Sequence, residues 1–258
     1  MRGGNEAVKI LLVTVAGMSS RFSESLGYHC LKCIYYEKSP EESLLYRMLH
    51  QNTDFERIIL VGGYLFEELS AFVHRYLSEL ESKITLVYNE NYANFGSGYS
   101  LFCGLREIAD TECSEVLFAE GDLYVDSFSF SRIYESPHSV VTYNHDAILA
   151  DKAVAFYFDL QHGIHYIYDT SHSALEIDEP FLSIFNSGQI WKFANPGHLR
   201  QVYSEISESE WQGTNLVFIQ KYFESLSEPD YVMIPFQSWL NCNTVTDFKK
   251  IGKEDVMK

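Results

Sequence analysis

Four short stretches of the chain combine small, cationic and carboxylate residues in ways that suit phosphate and metal chemistry. The first is residues 13–22, VTVAGMSSRF, where Ala16, Gly17, Met18, Ser19 and Ser20 follow an aliphatic run and lead into Arg21. Small residues let backbone N–H groups approach a phosphate closely, and a guanidinium adds a planar cationic fork. With one glycine and no G-K-[ST], this is neither a G-x-G-x-x-G nor a Walker A loop. On chemistry alone a plain tight turn and a phosphate cradle stand level. Further on, Lys32 is a lone cation among apolar and aromatic neighbours in GYHCLKCIYYE. It reads either as a lysine whose stem lies along a surface groove or, in company with Arg21, as a second cation for a polyphosphate.

The third stretch is EGDLYVD, residues 120–126, in which Asp122 follows directly on a strand-like run. Its carboxylate belongs at the same sheet edge as the opening loop. One carboxylate plus substrate phosphates is the usual way to hold Mg²⁺. A helix cap or turn acid is the structural alternative, and it accounts well for Asp126. The fourth is WLNCNTVTDFKK, residues 239–250, where Thr244 reads as the N-cap of a short helix with Asp247 in its first turn. Asn243, just before the cap, is free to point elsewhere.

The elements that must position these residues alternate from the start. KILLVTVA (9–16) is continuously apolar, as a strand buried on both faces should be. ESLLYRMLH (42–50) reads as helix and RIILVGG (57–63) as strand. Leu65, Leu69, Val73, Tyr76 and Leu80 then repeat at helical spacing. KITLVYN (83–89) is a third strand, SLFCGLREI (100–108) a helix, and EVLFAEGD (115–122) a fourth strand. The second half is less regular. SVVTYN, AVAFYFDL, GIHYIYD and FLSIFNSGQIWKF (181–193) look strand-like, helices are expected over 197–207 and 213–226, and DYVMIPF (230–236) is a last strand. This is the βαβ pattern of an α/β fold: one domain over 1–258 with a Rossmann-like, mixed but mostly parallel central sheet flanked by helices.

Composition narrows the partners. The 258 residues are 46% hydrophobic, ample for a full core, and carry 36 acidic against 19 basic residues for a net charge of -17. Such a surface repels nucleic acid and anionic lipid, so any anionic ligand must be held by a local constellation. No apolar run approaches the roughly 20 residues that span a bilayer, and no signal-peptide cleavage site follows the N-terminal apolar stretch. A cytoplasmic location without membrane insertion is the expectation. Five scattered cysteines do not make a disulfide framework, and Cys30 and Cys33, although spaced C-x-x-C, read as ordinary reduced thiols.

Taken in order, the four stretches resemble the nucleotidyltransferase superfamily, with its nucleotide-diphospho-sugar transferase fold. That superfamily carries A-G-x-[GS]-[ST]-R, then P-K, then G-D, then [EN]-[IV]-[DN]-T-x-x-D. AGMSSR, Leu31-Lys32, Gly121-Asp122 and NCNTVTD (241–247) match them here, with Ser19 at a position more often glycine. ILVGGYLFEEL and LVYNENYANFGSGYSLFCGL look like the CTP:phosphocholine cytidylyltransferase branch, and FNSGQIWKF fits its later acceptor-side strand. The resemblance spans nearly the whole chain. It departs at Leu31, where the family has proline, and at Asn243, where this branch usually has aspartate and other branches, such as the molybdenum-cofactor enzymes, have asparagine.

The resemblance implies a transferase that moves a nucleoside monophosphate, CMP from CTP above all, onto a phosphorylated small alcohol such as phosphocholine or a phosphonate, releasing pyrophosphate. It implies an N-terminal half that binds the NTP and a C-terminal half that binds the acceptor. Ala16, Gly17, Met18, Ser19, Ser20 and Arg21 would hold the triphosphate, and Lys32 would steady the α-phosphate. Gly63 and Asn94 would serve base and ribose, with Ser100 supporting that loop, and Asp122 with Asn243 would hold Mg²⁺. A sugar-1-phosphate nucleotidyltransferase and a non-catalytic nucleotide-binding regulator are the alternatives. A metal-dependent glycosyltransferase of related fold would want an acid where Tyr124 stands. A choline headgroup would want an aromatic box, each contact worth roughly 0.5 to 2 kcal/mol, for which Tyr92, Phe95, Tyr99, Tyr124, Trp191, Trp211 and Trp239 are candidates. The sequence leaves the oligomeric state open.

Overall fold

A computed structural model describes residues 8–254 apart from 52, 150–153, 168–174 and 228. The ends of two expected strand runs, Ala153 of AVAFYFDL and Tyr168 with Asp169 of GIHYIYD, fall outside the described residues. Strand β1 (Val8–Thr14) is an interior strand of the sheet, and its middle residues Ile10, Leu11, Leu12 and Val13 are all at most 1% exposed. The reason is a layer on each face. Alternate side chains point to opposite faces of a strand, so Ile10 and Leu12 join one hydrophobic cluster and Leu11 and Val13 another. Each such side chain contributes about 1.5–3 kcal/mol by leaving water. An unpaired polar side chain at any of these four positions would lose that contribution and carry a desolvation penalty besides.

After β1 come α1 (Ser20–Leu26), α2 (Leu44–Leu49), β2 (Arg57–Gly62), α3 (Phe66–Tyr76), β3 (Ile84–Tyr88), α4 (Ser97–Arg106) and β4 (Cys113–Glu120). The four strands are parallel in the order β4-β1-β2-β3. The chain moves outward from β1 to β3 and then returns to the other side of β1. The gap between the ends of β1 and β4 is thus a topological switch point, the crevice where open α/β sheets take ligands.

The second half supplies β5 (Leu123–Val125), α5 (Ser127–Glu135), β6 (Ser139–Asn144), β7 (Ala155–Asp159), β8 (Ile164–Tyr166) and β9 (Phe181–Phe193). Next are α6 (Pro196–Glu205), α7 (Glu208–Trp211), α8 (Leu216–Glu224), β10 (Tyr231–Pro235), β11 (Trp239–Asn241) and α9 (Val245–Glu254). The main sheet runs β10-β6-β9-β4-β1-β2-β3, with β7 on β9 and β8 on β7. Strand β9 runs antiparallel to β4, β6 and β7. Its 13 residues are long enough to pair with all three. It bends where Gln189 takes a left-handed φ of 56°, and the Thr142 hydroxyl patches the break by bonding both the N–H and the C=O of Ile190.

The elements expected from the sequence are present with small shifts. The exceptions are local: residues 213–215 form a loop and helix begins at Leu216, while α7 and the small antiparallel β5–β11 pair had no periodic signal. Four- and three-residue elements are too short to show a period, and tertiary contacts decide them. None of the described helices is long and apolar enough to cross a membrane.

Candidate active site

A cleft of about 530 Å³ opens at the switch point, above the ends of β1 and β4. Its floor is the segment from Thr14 to Phe22, and Gly121 lets that floor approach β4. A Cβ on Gly121 would collide with Val15 Cγ1, and its N–H donates to Thr14 O at 3.0 Å. Any larger residue there would push the two strand ends apart. Leu31, Lys32 and Cys33 form one side. Tyr92, Phe95, Gly96, Ser97 and Ser100 form another, and Val154, Thr214, Asn215 and Leu216 close the far wall.

Distant segments meet through short structural clips. The β5–β11 pair sets Asn241 opposite Leu123, and Cys242 N–H donates to Asp122 O at 2.9 Å. Asn243 is thereby carried to Asp122. Thr244 and Asp247 form the reciprocal cap at the start of α9, and Phe248 and Ile251 pack with Phe22, Leu44 and Tyr124 in a small separate core. That core anchors α1 against α9, so Arg21 meets Asn243, 222 positions away: its Nη2 donates to Asn243 Oδ1 at 2.9 Å.

Lys32 completes the group. Its Nζ donates to Asp122 Oδ2 at 2.6 Å and lies 3.4 Å from Asn243 Oδ1. Asn243 Nδ2 donates to Asn241 Oδ1 at 3.0 Å, which turns the amide oxygen toward the two cations. Asp122 Oδ1 is buried without a hydrogen-bond partner. Ser19 ties Lys32 to the floor, its hydroxyl accepting the Lys32 N–H at 3.2 Å. Ser19 itself has φ 51° and ψ 29°, a left-handed conformation that costs a residue with a side chain roughly 1–2 kcal/mol. This explains why glycine suits the position, and the hydroxyl contact shows what serine gains there.

The far wall holds a second carboxylate, Glu120, two residues before Asp122. Its Oε1 accepts from Asn215 Nδ2 at 2.8 Å, and Asn215 is 2% exposed. Burial, and next the Asp122 charge, push the Glu120 carboxyl up to about 7. The Glu120–Asn215 contact joins this wall to the one bearing Ser97, whose hydroxyl accepts the Asn215 N–H at 3.1 Å.

The structure thus brings Ala16, Gly17, Met18, Ser19, Ser20, Arg21, Lys32, Ser100, Asp122 and Asn243 to one cleft. Gly63 and Asn94 do not line it. Gly63 is a backing residue: a Cβ there would run into Tyr92 Cβ and lie 3.0 Å from Ala16 O. Asn94 is exposed and sits in a turn closed on Asn91 O, while its neighbour Phe95 faces the cleft. Ser100 is buried and accepts from Asn89 Nδ2 at 2.9 Å. Of the aromatic candidates, Tyr92 and Phe95 reach the cleft. Trp191, Trp211 and Tyr124 are core residues at 0%, 5% and 7% exposure, because large apolar rings are claimed first by packing. Tyr99 packs on the main core, and Trp239 is spent on Gly188 O. Asp126 caps α5 by accepting the Ser129 N–H. Cys30 and Cys33 are free thiols, and burial pushes both upward, Cys30 to about 11.

Glu120, Thr214 and Asn215 were not apparent from the sequence. Glu120 had a signal: at the end of an extended strand, residues i and i+2 face one side, so E-x-D places both acids together. Asn215 had none, being part of a loop whose position is set by packing. Among the described residues no three His, Cys, Asp or Glu side chains gather to hold a metal. A cation here would depend on ligand oxygens for most of its shell, as Mg²⁺ in nucleotide sites does.

Residues 28–255 match the family described as domain of unknown function (DUF6564), and the chain belongs to that family. No curated protein matches the sequence. Among solved structures the chain is similar to the inositol-1-phosphate CTP transferase from T. maritima, with TM-score 0.66, 18% identity and 96% of each chain covered. It is also similar to the CTP:phosphocholine cytidylyltransferase LicC from Streptococcus pneumoniae, with TM-score 0.62 and 16% identity over 97% of this chain and 100% of that one. A UDP-glucose pyrophosphorylase complexed with UDP-glucose gives TM-score 0.67 and 12% identity over 97% and 99%. The fold is that of the nucleotidyltransferases.

Proposed function

We propose that the protein is a Mg²⁺-dependent nucleotidyltransferase that joins a nucleoside monophosphate from an NTP to a phosphorylated small molecule and releases pyrophosphate. The observation that carries this is the convergence of Arg21, Lys32, Asp122 and Asn243, from four separate segments, at the switch point of this fold. The N-terminal half holds the NTP and the C-terminal half the acceptor. Arg21 grips the triphosphate as a fork, over the small residues Ala16 to Ser20, and Lys32 steadies the α-phosphate as charge develops. The acceptor phosphate is already anionic, so its oxygen attacks the α-phosphorus in line with no protein nucleophile and no proton to remove. Catalysis is positioning and charge neutralisation.

Asp122 and Asn243 fit a divalent cation. They offer one carboxylate with a buried, unpartnered oxygen and one amide oxygen oriented by Asn241. The metal would add positive charge beside the α-phosphate. Tyr92 and Phe95 give the nucleoside apolar surface.

CTP and a phospho-alcohol such as phosphocholine are the preferred pair, supported by the segment resemblance around residues 59–69 and 86–105. A sugar 1-phosphate is the second reading, supported by the equal likeness of the fold to a UDP-glucose pyrophosphorylase. Incubation with each NTP, Mg²⁺ and a panel of both acceptor types, following pyrophosphate, separates them. The expected result is release with one NTP–acceptor pair. Nucleotide-dependent thermal stabilisation with no release from any pair would make the protein a non-catalytic nucleotide binder.

A further inference from the structure

We infer that Lys32 is an internal, displaceable counter-ion that occupies the divalent-cation seat in the free protein and leaves it when the nucleotide arrives. The inference rests on the reading of Asp122 and Asn243 as cation ligands. In the free protein Asp122 Oδ2 and Asn243 Oδ1 are already engaged, and only Asp122 Oδ1 is without a hydrogen-bond partner: the Lys32 ammonium is 2.6 Å from Asp122 Oδ2 and 3.4 Å from Asn243 Oδ1, and Arg21 takes the same amide oxygen at 2.9 Å. An ammonium between a carboxylate and an amide oxygen stands where a metal bound to both would stand. Two cations cannot share that point, because like charges at contact distance repel strongly in a part-buried site. The side chains of Lys32 and Asp122 are only 18% and 21% exposed, so water screens the repulsion poorly.

Lys32 is built to move while staying close. Its backbone N–H is held by Ser19 Oγ at 3.2 Å, on the floor that faces the phosphates, and its ammonium rides on a flexible four-carbon stem. A triphosphate on that floor offers the ammonium a richer anionic partner than Asp122. As Nζ turns toward phosphate, Asp122 Oδ2 is freed for the metal, and Arg21, drawn to the same phosphates, gives up the Asn243 oxygen it now holds at 2.9 Å. The lysine is thus a placeholder that keeps Asp122 paired in the free protein and a phosphate ligand in the complex. Metal and nucleotide then assist each other by the same factor, as linkage requires.

The test is Mn²⁺ binding to the free protein, without nucleotide, measured by electron paramagnetic resonance of unbound Mn²⁺. Lys32→Met should bind Mn²⁺ at least about tenfold more tightly than the wild type, and Lys32→Gln, which keeps a polar end, should do the same. Adding Asp122→Asn to Lys32→Met should abolish the gain. Equal Mn²⁺ affinity in wild type and both Lys32 variants, lost on Asp122→Asn, overturns the placeholder role and leaves the metal site standing. Tight Mn²⁺ binding that survives Asp122→Asn overturns the metal site as well, and no Mn²⁺ binding in any variant overturns the placeholder role. Circular dichroism of each variant confirms that the comparison is between folded proteins.

Discussion

Asp122 and Glu120 face one cleft from the end of one strand, yet the walls they belong to differ in kind. On the Asp122 wall charge answers charge: Lys32 contacts the carboxylate directly, and Arg21 and Lys32 converge on Asn243. On the Glu120 wall the partner is a neutral amide, that of the buried Asn215. An ion pair that lines a cleft can be exchanged for a ligand's charges, since each partner finds another. A buried carboxyl with a neutral partner has no such exchange, and it holds its proton more tightly instead. One wall is suited to binding ions and the other to shaping the pocket.

Substitutions can break this contrast, and the largest effect is expected on the ionic wall. Asp122→Asn keeps the shape and removes the charge. Pyrophosphate release should fall about 10³-fold with the far-ultraviolet circular dichroism unchanged, the size expected for loss of a main electrostatic contact. Activity within a few-fold of wild type would remove Asp122 from the chemistry. Arg21→Lys should lower kcat/KM by roughly 10- to 100-fold, the worth of one charged hydrogen bond, because an ammonium cannot reproduce the planar fork. Full activity there would mean that only charge matters at position 21.

The neutral wall should answer to pH and stability. Glu120 titrates near 7 in the folded protein against an ordinary value near 4.5, so the folded state binds the proton more tightly. Its contribution to stability is fully present below pH 4.5, declines as pH rises through 7 and is flat above. Glu120→Gln removes that slope. The variant should therefore exceed the wild type at pH 8 by on the order of 1–3 kcal/mol, with the gap closing toward pH 4.5, in urea titrations at each pH. A gap that widens on acidification would reverse the assignment. Smallest of all is Ser19→Gly, which relieves the left-handed backbone but gives up the contact to Lys32 N–H. The two terms are each about 1 kcal/mol and opposed, so the midpoint of urea unfolding should hardly move.

How much of this could be read from the chain varies along it. Residues 9–16 and 57–63 declared themselves as buried strands because a parallel sheet covered on both faces requires unbroken aliphatic runs. Ala16 to Arg21 and Asp122 were visible because ligand loops of such sheets lie at strand ends. The Thr244–Asp247 cap was visible because it is local, its partners three residues apart. Asn94 and Gly63 fall outside the cleft for separate reasons: the turn around residues 91–96 gives the inward position to Phe95, and Gly63 packs behind Tyr92 and Ala16. The aromatic box could not be chosen because rings that line a pocket and rings that fill a core are the same residues.

By itself the sequence determined the alternation of elements, the strand centres and the stock of cations and acids available at the strand ends. These follow from periodicity and local propensity, which act over a few residues. Only the tertiary structure decided that Arg21, Lys32, Asp122 and Asn243 meet, that Lys32 rather than solvent answers Asp122, and that Glu120 is held by Asn215. Those are contacts across 90 to 222 positions. They are set by how β5 pairs with β11, how α1 packs on α9 and how the 213–215 loop packs beside Ser97, none of which leaves a period in the chain.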